Sequence, residues 1–148
     1  MKLGAFYLPE PVPQLNEPFA FGVLRPWTDV SSVGTMALTT LERYYKAEEL
    51  AHFKSPGYFF DFTRYRPTSI YKDNKREFII PNAMVYYAKR QNANDLIFLH
   101  LLEPHMLGEV YVNSVMKLLE WFGVKRYCML GGMYNMVPHT RPLGITGG

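Results

Sequence analysis

Cysteine is nearly absent. Cys128 stands alone, so no disulfide can form within the chain, and a reducing compartment suits it. Its apolar setting, Tyr127-Cys128-Met129-Leu130, predicts a small buried hydrophobe rather than a nucleophile. Charge of one sign is lacking as well. With 16 basic and 13 acidic residues the net charge is only +3, and no Lys/Arg run occurs. The densest basic stretch, Arg64-Tyr65-Arg66 with Lys72, Lys75 and Arg76, reads as a solvated hairpin, which argues against nucleic acid as a partner. Long hydrophobic runs are missing too. Nothing approaches the roughly 20 residues of a membrane span, and Phe6-Tyr7-Leu8 is cut short by Pro9, too soon for a signal peptide. The expectation is a cytoplasmic chain with no membrane partner.

Several site motifs are absent. There is no GxxxxGK[ST] loop, no GxGxxG and no GxSxG elbow, so neither nucleotide nor serine-nucleophile chemistry is indicated and no cofactor is expected. Glu103, His105 and His139 are the right residue types for a metal, but no two share a helix face at ligand spacing, so no metal is expected. Internal repeats and low-complexity segments are lacking.

What is present is an apolar, aromatic-rich chain. A hydrophobic fraction of 48% against 20% charged predicts a globular fold, and 148 residues suffice for one domain with a real core. Aromatics at 16% exceed what a core of this size needs, so the surplus points to a subunit contact. The chain divides into an N-terminal arm, residues 1–18, held extended by Pro9, Pro11, Pro13 and Pro18, and a single α/β domain over 19–148.

Within that domain, Phe19 to Leu24 reads as a buried strand. A helix is expected from about Val33 to Ala51, capped by Ser31 or Ser32, with Glu42 and Lys46 paired across one turn. Tyr58 to Phe62 reads as a strand. Thr68 to Tyr71 and Glu77 to Ile80 form a hairpin around an Asp-Asn turn, and Met84 to Ala88 is a further strand. Leu96 to Leu102 is nearly all apolar. Apolar residues from Leu107 to Phe122 trace a helix face that ends at Gly123, and Lys125 to Leu130 forms a last strand. This final strand–helix–strand predicts a right-handed parallel unit. The fold class is therefore α/β, a three-layer arrangement around a mixed, mostly parallel sheet. His100, inside the apolar run, is expected to be a hydrogen-bonded core residue.

In such sheets ligands sit at the carboxyl ends of the strands. Three segments fall there. Asp29, Ser31, Ser32 and Gly34 precede the first helix, where free N–H groups suit an anion and Asp29 or a serine suits a cap. Glu103 and His105 flank Pro104 and are base and proton-shuttle candidates. Gly131 and Gly132 allow close backbone approach, and His139 and Arg141 follow, Arg141 being suited to a carboxylate or phosphate. Together they define a candidate ligand crevice, with catalytic roles unassigned.

These same residues carry a family resemblance. Asp29-Val30-Ser31-Ser32-Val33-Gly34, Leu102-Glu103-Pro104-His105, and Leu130-Gly131-Gly132 with Val137-Pro138-His139-Thr140-Arg141-Pro142 together resemble the PAC2 family, from about Pro18 to the C-terminus. The resemblance implies a three-layer fold similar to purine nucleoside phosphorylases and related hydrolases. It also implies oligomers that help assemble proteasome rings, so a homo-oligomer with a proteasome-like protein partner is expected. Bacterial relatives usually continue well past the Pro-His-Thr-Arg segment, so the chain resembles the N-terminal portion of that architecture. It also lacks the hydrophobic-Tyr-X tail with which some archaeal relatives dock. The expected function is a chaperone-like interaction module. The alternative is a nucleosidase- or phosphorylase-like enzyme with Glu103 as base, Arg141 and the serine loop holding an anion, and His105 or His139 moving protons.

Overall fold

The computed structural model describes residues 1–148. Its centre is the apolar run found in the sequence. Strand β8 (Leu96–Leu102) is buried along its whole length, as a strand covered on both faces must be. Ile97, Leu99 and Leu101 point into one core, while Leu96 and Phe98 point into the other. Strand β3 (Phe19–Arg25) lies parallel to β8, and β9 (Arg126–Met129) lies parallel to β3 on its far side. The expected β8–helix–β9 unit therefore straddles β3 instead of pairing its own two strands. Strand β7 (Met84–Ala88) joins the other side of β8 antiparallel, followed by β4 (Glu48–Phe53), β2 (Phe6–Tyr7) and β1 (Lys2–Leu3). The order is β1-β2-β4-β7-β8-β3-β9, one mixed seven-stranded sheet.

Two helices complete the three layers. Helix α1 (Val33–Tyr45) buries Gly34 and Leu38 against Val23, Ala88, Leu96 and Phe98 on one face. Helix α2 (Gly108–Trp121) buries Tyr111, Val115, Leu118 and Leu119 on the other, over a larger core that includes Phe6, Phe53, Phe59 and Phe60. A fully buried side chain of the size of Leu38 or Leu118 contributes about 1.5–3 kcal/mol relative to exposure. The aromatic cluster adds geometry to area: Tyr111 meets Phe53 edge-on at 5.3 Å and Phe59 at 5.6 Å.

The α/β class, the mixed sheet and three layers are as the sequence suggests, with two of the large sheet's pairings parallel and four antiparallel. Four local expectations are corrected. The first helix stops at Tyr45, where Lys46 takes a left-handed conformation, and Glu48–Phe53 is strand β4. Lys46 makes no ion pair with Glu42, whose carboxylate instead meets His100 Nε2 at 2.5 Å across the α1–β8 interface. Tyr58 to Phe62 holds no strand; Pro56–Tyr58 is a short 3-10 turn. Cys128 is exposed, because β9 is an edge strand with neither face covered. The first residues of the proline-spaced N-terminal arm fold back as a hairpin, β1 and β2, hydrogen-bonded into the sheet. The hairpin of β5 (Thr68–Lys72) and β6 (Lys75–Ile79) forms its own two-stranded sheet, with Asp73 and Asn74 both at positive φ as its turn type requires.

Candidate functional site

Parallel pairing puts the carboxyl ends of β8, β3 and β9 side by side, and the three predicted segments leave from those ends. The first and third segments meet. Asp29 forms an isolated parallel bridge with Gly132. The Val30 N–H donates to the Gly132 carbonyl at 3.1 Å, and the Gly132 N–H donates to the Thr28 carbonyl at 2.9 Å. The glycines are required by this approach. A Cβ on Gly131 would stand 2.5 Å from the Thr28 carbonyl oxygen, and one on Gly132 would collide with Val33.

Asp29 is the cap of α1. Its Oδ1 accepts from the backbone N–H of Gly34 at 2.7 Å and of Thr35 at 3.2 Å, and its Oδ2 accepts from the Thr35 hydroxyl at 2.6 Å. The carboxylate is buried and spends both oxygens on the helix N-terminus, whose partial positive charge it neutralises. Ser31 and Ser32 do not cap. Both adopt left-handed backbone conformations, φ 55° and 57°, and their side chains are exposed without a cap bond. The expected anion cradle is thus occupied by the chain's own Asp29.

The second segment builds a separate cluster. The Asp61 N–H donates to His105 Nδ1 at 3.1 Å, which leaves the neutral ring's proton on Nε2. The Tyr65 ring packs on the His105 imidazole at 4.6 Å between centroids, and its hydroxyl donates to the Glu103 carbonyl at 3.3 Å. Burial raises the Tyr65 pKa, the Glu103 carboxylate raises it further, and Arg25 opposes the rise. Arg25 is at the end of β3, paired in register with Leu102, and its Nε is buried without a partner. Sequence reading missed Arg25, Asp61 and Tyr65. Only the pairing of β3 with β8 and the fold-back of the 59–65 segment onto His105 bring them to Glu103, and neither is encoded in local spacing.

His139 and Arg141 do not join either cluster. They lie in the exposed segment after β9, and their side chains make no hydrogen bond or ion pair; the Arg141 N–H only closes a turn on Pro138. Two open grooves stand out elsewhere, one of about 470 Å³ between β1 and α2 and one of about 430 Å³ between α2 and β9, and none of the ten crevice residues lines either. Arg141 makes no ion pair with Glu103 or Asp29. No group of three or more His, Cys, Asp or Glu side chains has metal-binding geometry. No helix is long and apolar enough to cross a membrane.

The conspicuous surface is instead the β9 edge. β9 pairs only with β3, so its outer N–H and C=O groups have no strand partner. Apolar side chains flank it on both layers: Val33 of α1 against Gly132, Met116 of α2 beside Arg126 and Tyr127, and Tyr127 and Met129 on β9 itself, all between 39% and 50% exposed. Gly22, which has no side chain, allows the Tyr127 ring to lie across β3.

The structure defines a three-layer α/β domain in which Asp29 and His105 are hydrogen-bonded to backbone N–H groups at the strand ends and the last strand leaves an open, partly apolar edge. The PAC2 family profile matches residues 23–148, and the chain belongs to that family. Solved structures agree in fold. A PAC2 family protein from Streptomyces avermitilis superimposes with a TM-score of 0.77 at 24% identity, over 84% of this chain and 54% of that one. A proteasome-assembly chaperone homologue from Mycobacterium tuberculosis gives 0.76 at 18%, over 84% and 53%. The archaeal proteasome activator PbaB from Pyrococcus furiosus gives 0.63 at 20%, over 87% and 51%. The chain thus spans about half the length of these relatives. No curated protein matches its sequence.

Proposed function

We propose that the chain is an oligomeric, chaperone-like protein-interaction module, with partners of the proteasome-subunit kind suggested by the names of its relatives. The observation that carries this reading is the β9 edge: unpaired backbone groups framed above and below by exposed apolar side chains. Water-exposed apolar surface of this kind is stabilised by burial against another polypeptide, and the aromatic surplus of the sequence supplies part of it. A cytoplasmic setting suits the free thiol at the same edge.

Cys128 reports on the edge directly. In an assembly that uses this rim, its labelling by a maleimide dye slows as protein concentration rises, and Cys128→Lys, a charge on an edge strand, disperses the assembly while leaving the circular dichroism spectrum intact. Labelling that is fast and independent of concentration, with no change of mass in Cys128→Lys, refutes the use of this edge. The enzyme alternative has no geometric support of comparable kind.

A further inference from the structure

The groove between β1 and α2 lies on the opposite side of the molecule's sheet order from β9 and has a different chemistry. Three lysines from distant parts of the sequence line it: Lys2 on β1, Lys54 just after β4, and Lys117 on α2. No acidic residue lines the groove, and none of the three ammonium groups is in an ion pair within the chain. Local spacing carries no sign of this cluster, because only the docking of α2 across β1 assembles it. In a chain whose whole net charge is +3, three unpaired cations around one concavity make a local field that favours anions.

The remaining lining fixes the kind of anion. Phe59 is buried at the floor, and Tyr58, Leu107 and Val110 stand exposed around it. Ser114 is already satisfied: its Oγ accepts from the Ala5 N–H at 3.1 Å and donates to the Val110 carbonyl at 2.7 Å. The groove therefore offers cations and apolar side chains, with the neutral polar groups of Ser55 and Asn113 at its wall and no polar side chain left buried and unpaired. A bare inorganic anion would leave the apolar lining in water. A nucleic-acid backbone would need a longer run of cations than three. At about 470 Å³ the concavity has the volume of a site for a few residues of peptide.

We propose that this groove receives an acidic peptide segment carrying an apolar side chain, contributed by a protein partner. Its carboxylates meet Lys2, Lys54 and Lys117, and its apolar residue lies between the exposed Tyr58, Leu107 and Val110. The inference deepens the interaction reading above by naming a second contact and its chemistry.

The test is a titration with a fluorescein-labelled peptide of alternating Glu and Leu, followed by polarisation at fixed ionic strength. The double variant Lys54→Glu/Lys117→Glu, both on exposed positions, is compared with the unaltered chain after its unfolding midpoint is shown to be unchanged. Binding weakens about tenfold or more in the variant and with the isosteric Gln-Leu peptide, and falls with added salt. Equal binding of the Gln-Leu peptide, an unaffected double variant, or equally effective displacement by oligo-dT or by inorganic phosphate overturns the proposal. Solution mass measured on the same samples separates the two readings: an oligomer that ignores the acidic peptide removes the groove and leaves the β9 edge standing.

Discussion

Asp29 shows how one residue type can announce the wrong role. An acidic residue before a helix at a strand's carboxyl end suits either a ligand or a cap, and the structure gives every hydrogen bond of this carboxylate to Gly34 and Thr35. Removing it strands two helix N–H groups and a hydroxyl in a partly buried setting. Asp29→Ala should cost about 1–3 kcal/mol in urea unfolding, and a loss within experimental error would show that water replaces the cap. Tyr111 behaves oppositely. Its ring packs among Phe53, Phe59 and Phe60, and its buried hydroxyl faces the Leu102 backbone without reaching hydrogen-bond geometry. Burial pushes its pKa far up. Tyr111→Phe should therefore be neutral or stabilising by about 1 kcal/mol near neutral pH.

The same tyrosine sets the alkaline limit. Burial is the largest cause of the raised pKa of Tyr65, Tyr86, Tyr87, Tyr111 and Tyr127 alike. A group whose folded pKa lies above its unfolded value binds its proton more tightly in the folded state. Stability is then full below the ordinary tyrosine value of 10.0 and is lost as pH climbs from there through the raised folded values. Unfolding midpoints should fall steeply above about pH 10, and Tyr111→Phe should flatten that fall. A flat profile to pH 11 in the unaltered chain would contradict the burial of these hydroxyls.

Elements were legible where one signal dominated. The apolar run of β8 and the 3.6-residue stripe of α2 are each longer than any competing pattern, and the Asp73-Asn74 turn names its hairpin. The end of α1 was not legible, because apolar spacing continues through Leu50 and Ala51 into β4, and the break at Lys46 depends on a left-handed residue that is not glycine. His100 was readable as a hydrogen-bonded core residue, while its partner Glu42 looked like half of a surface pair. The burial of Cys128 was misjudged for a related reason. An apolar run predicts a covered strand, and β9 is apolar with no cover in this chain. The interface proposed at this edge would supply the burial that the β9 residues suit and this chain does not provide.

At the scale of the whole molecule, the ten crevice residues divide into a packed junction (Asp29, Gly34, Gly131 and Gly132), two exposed serines beside it, a histidine–glutamate cluster under Tyr65, and two exposed side chains beyond β9. Their grouping at one end of the sheet was foreseeable from the strand order. The bridge between Asp29 and Gly132 was not, since it depends on how closely the loops after β3 and β9 approach. The apolar β9 edge and the lysine groove beside β1 lie on opposite rims of one sheet. Two different contacts on opposite rims suit a subunit that joins one polypeptide and holds another.

Sedimentation equilibrium of the unaltered chain over a wide concentration range tests the central claim most directly. The account requires a mass that is a multiple of 17.2 kDa and that dissociates on dilution. A mass that stays at 17.2 kDa up to the highest concentration, with Cys128 freely reactive throughout, would contradict it.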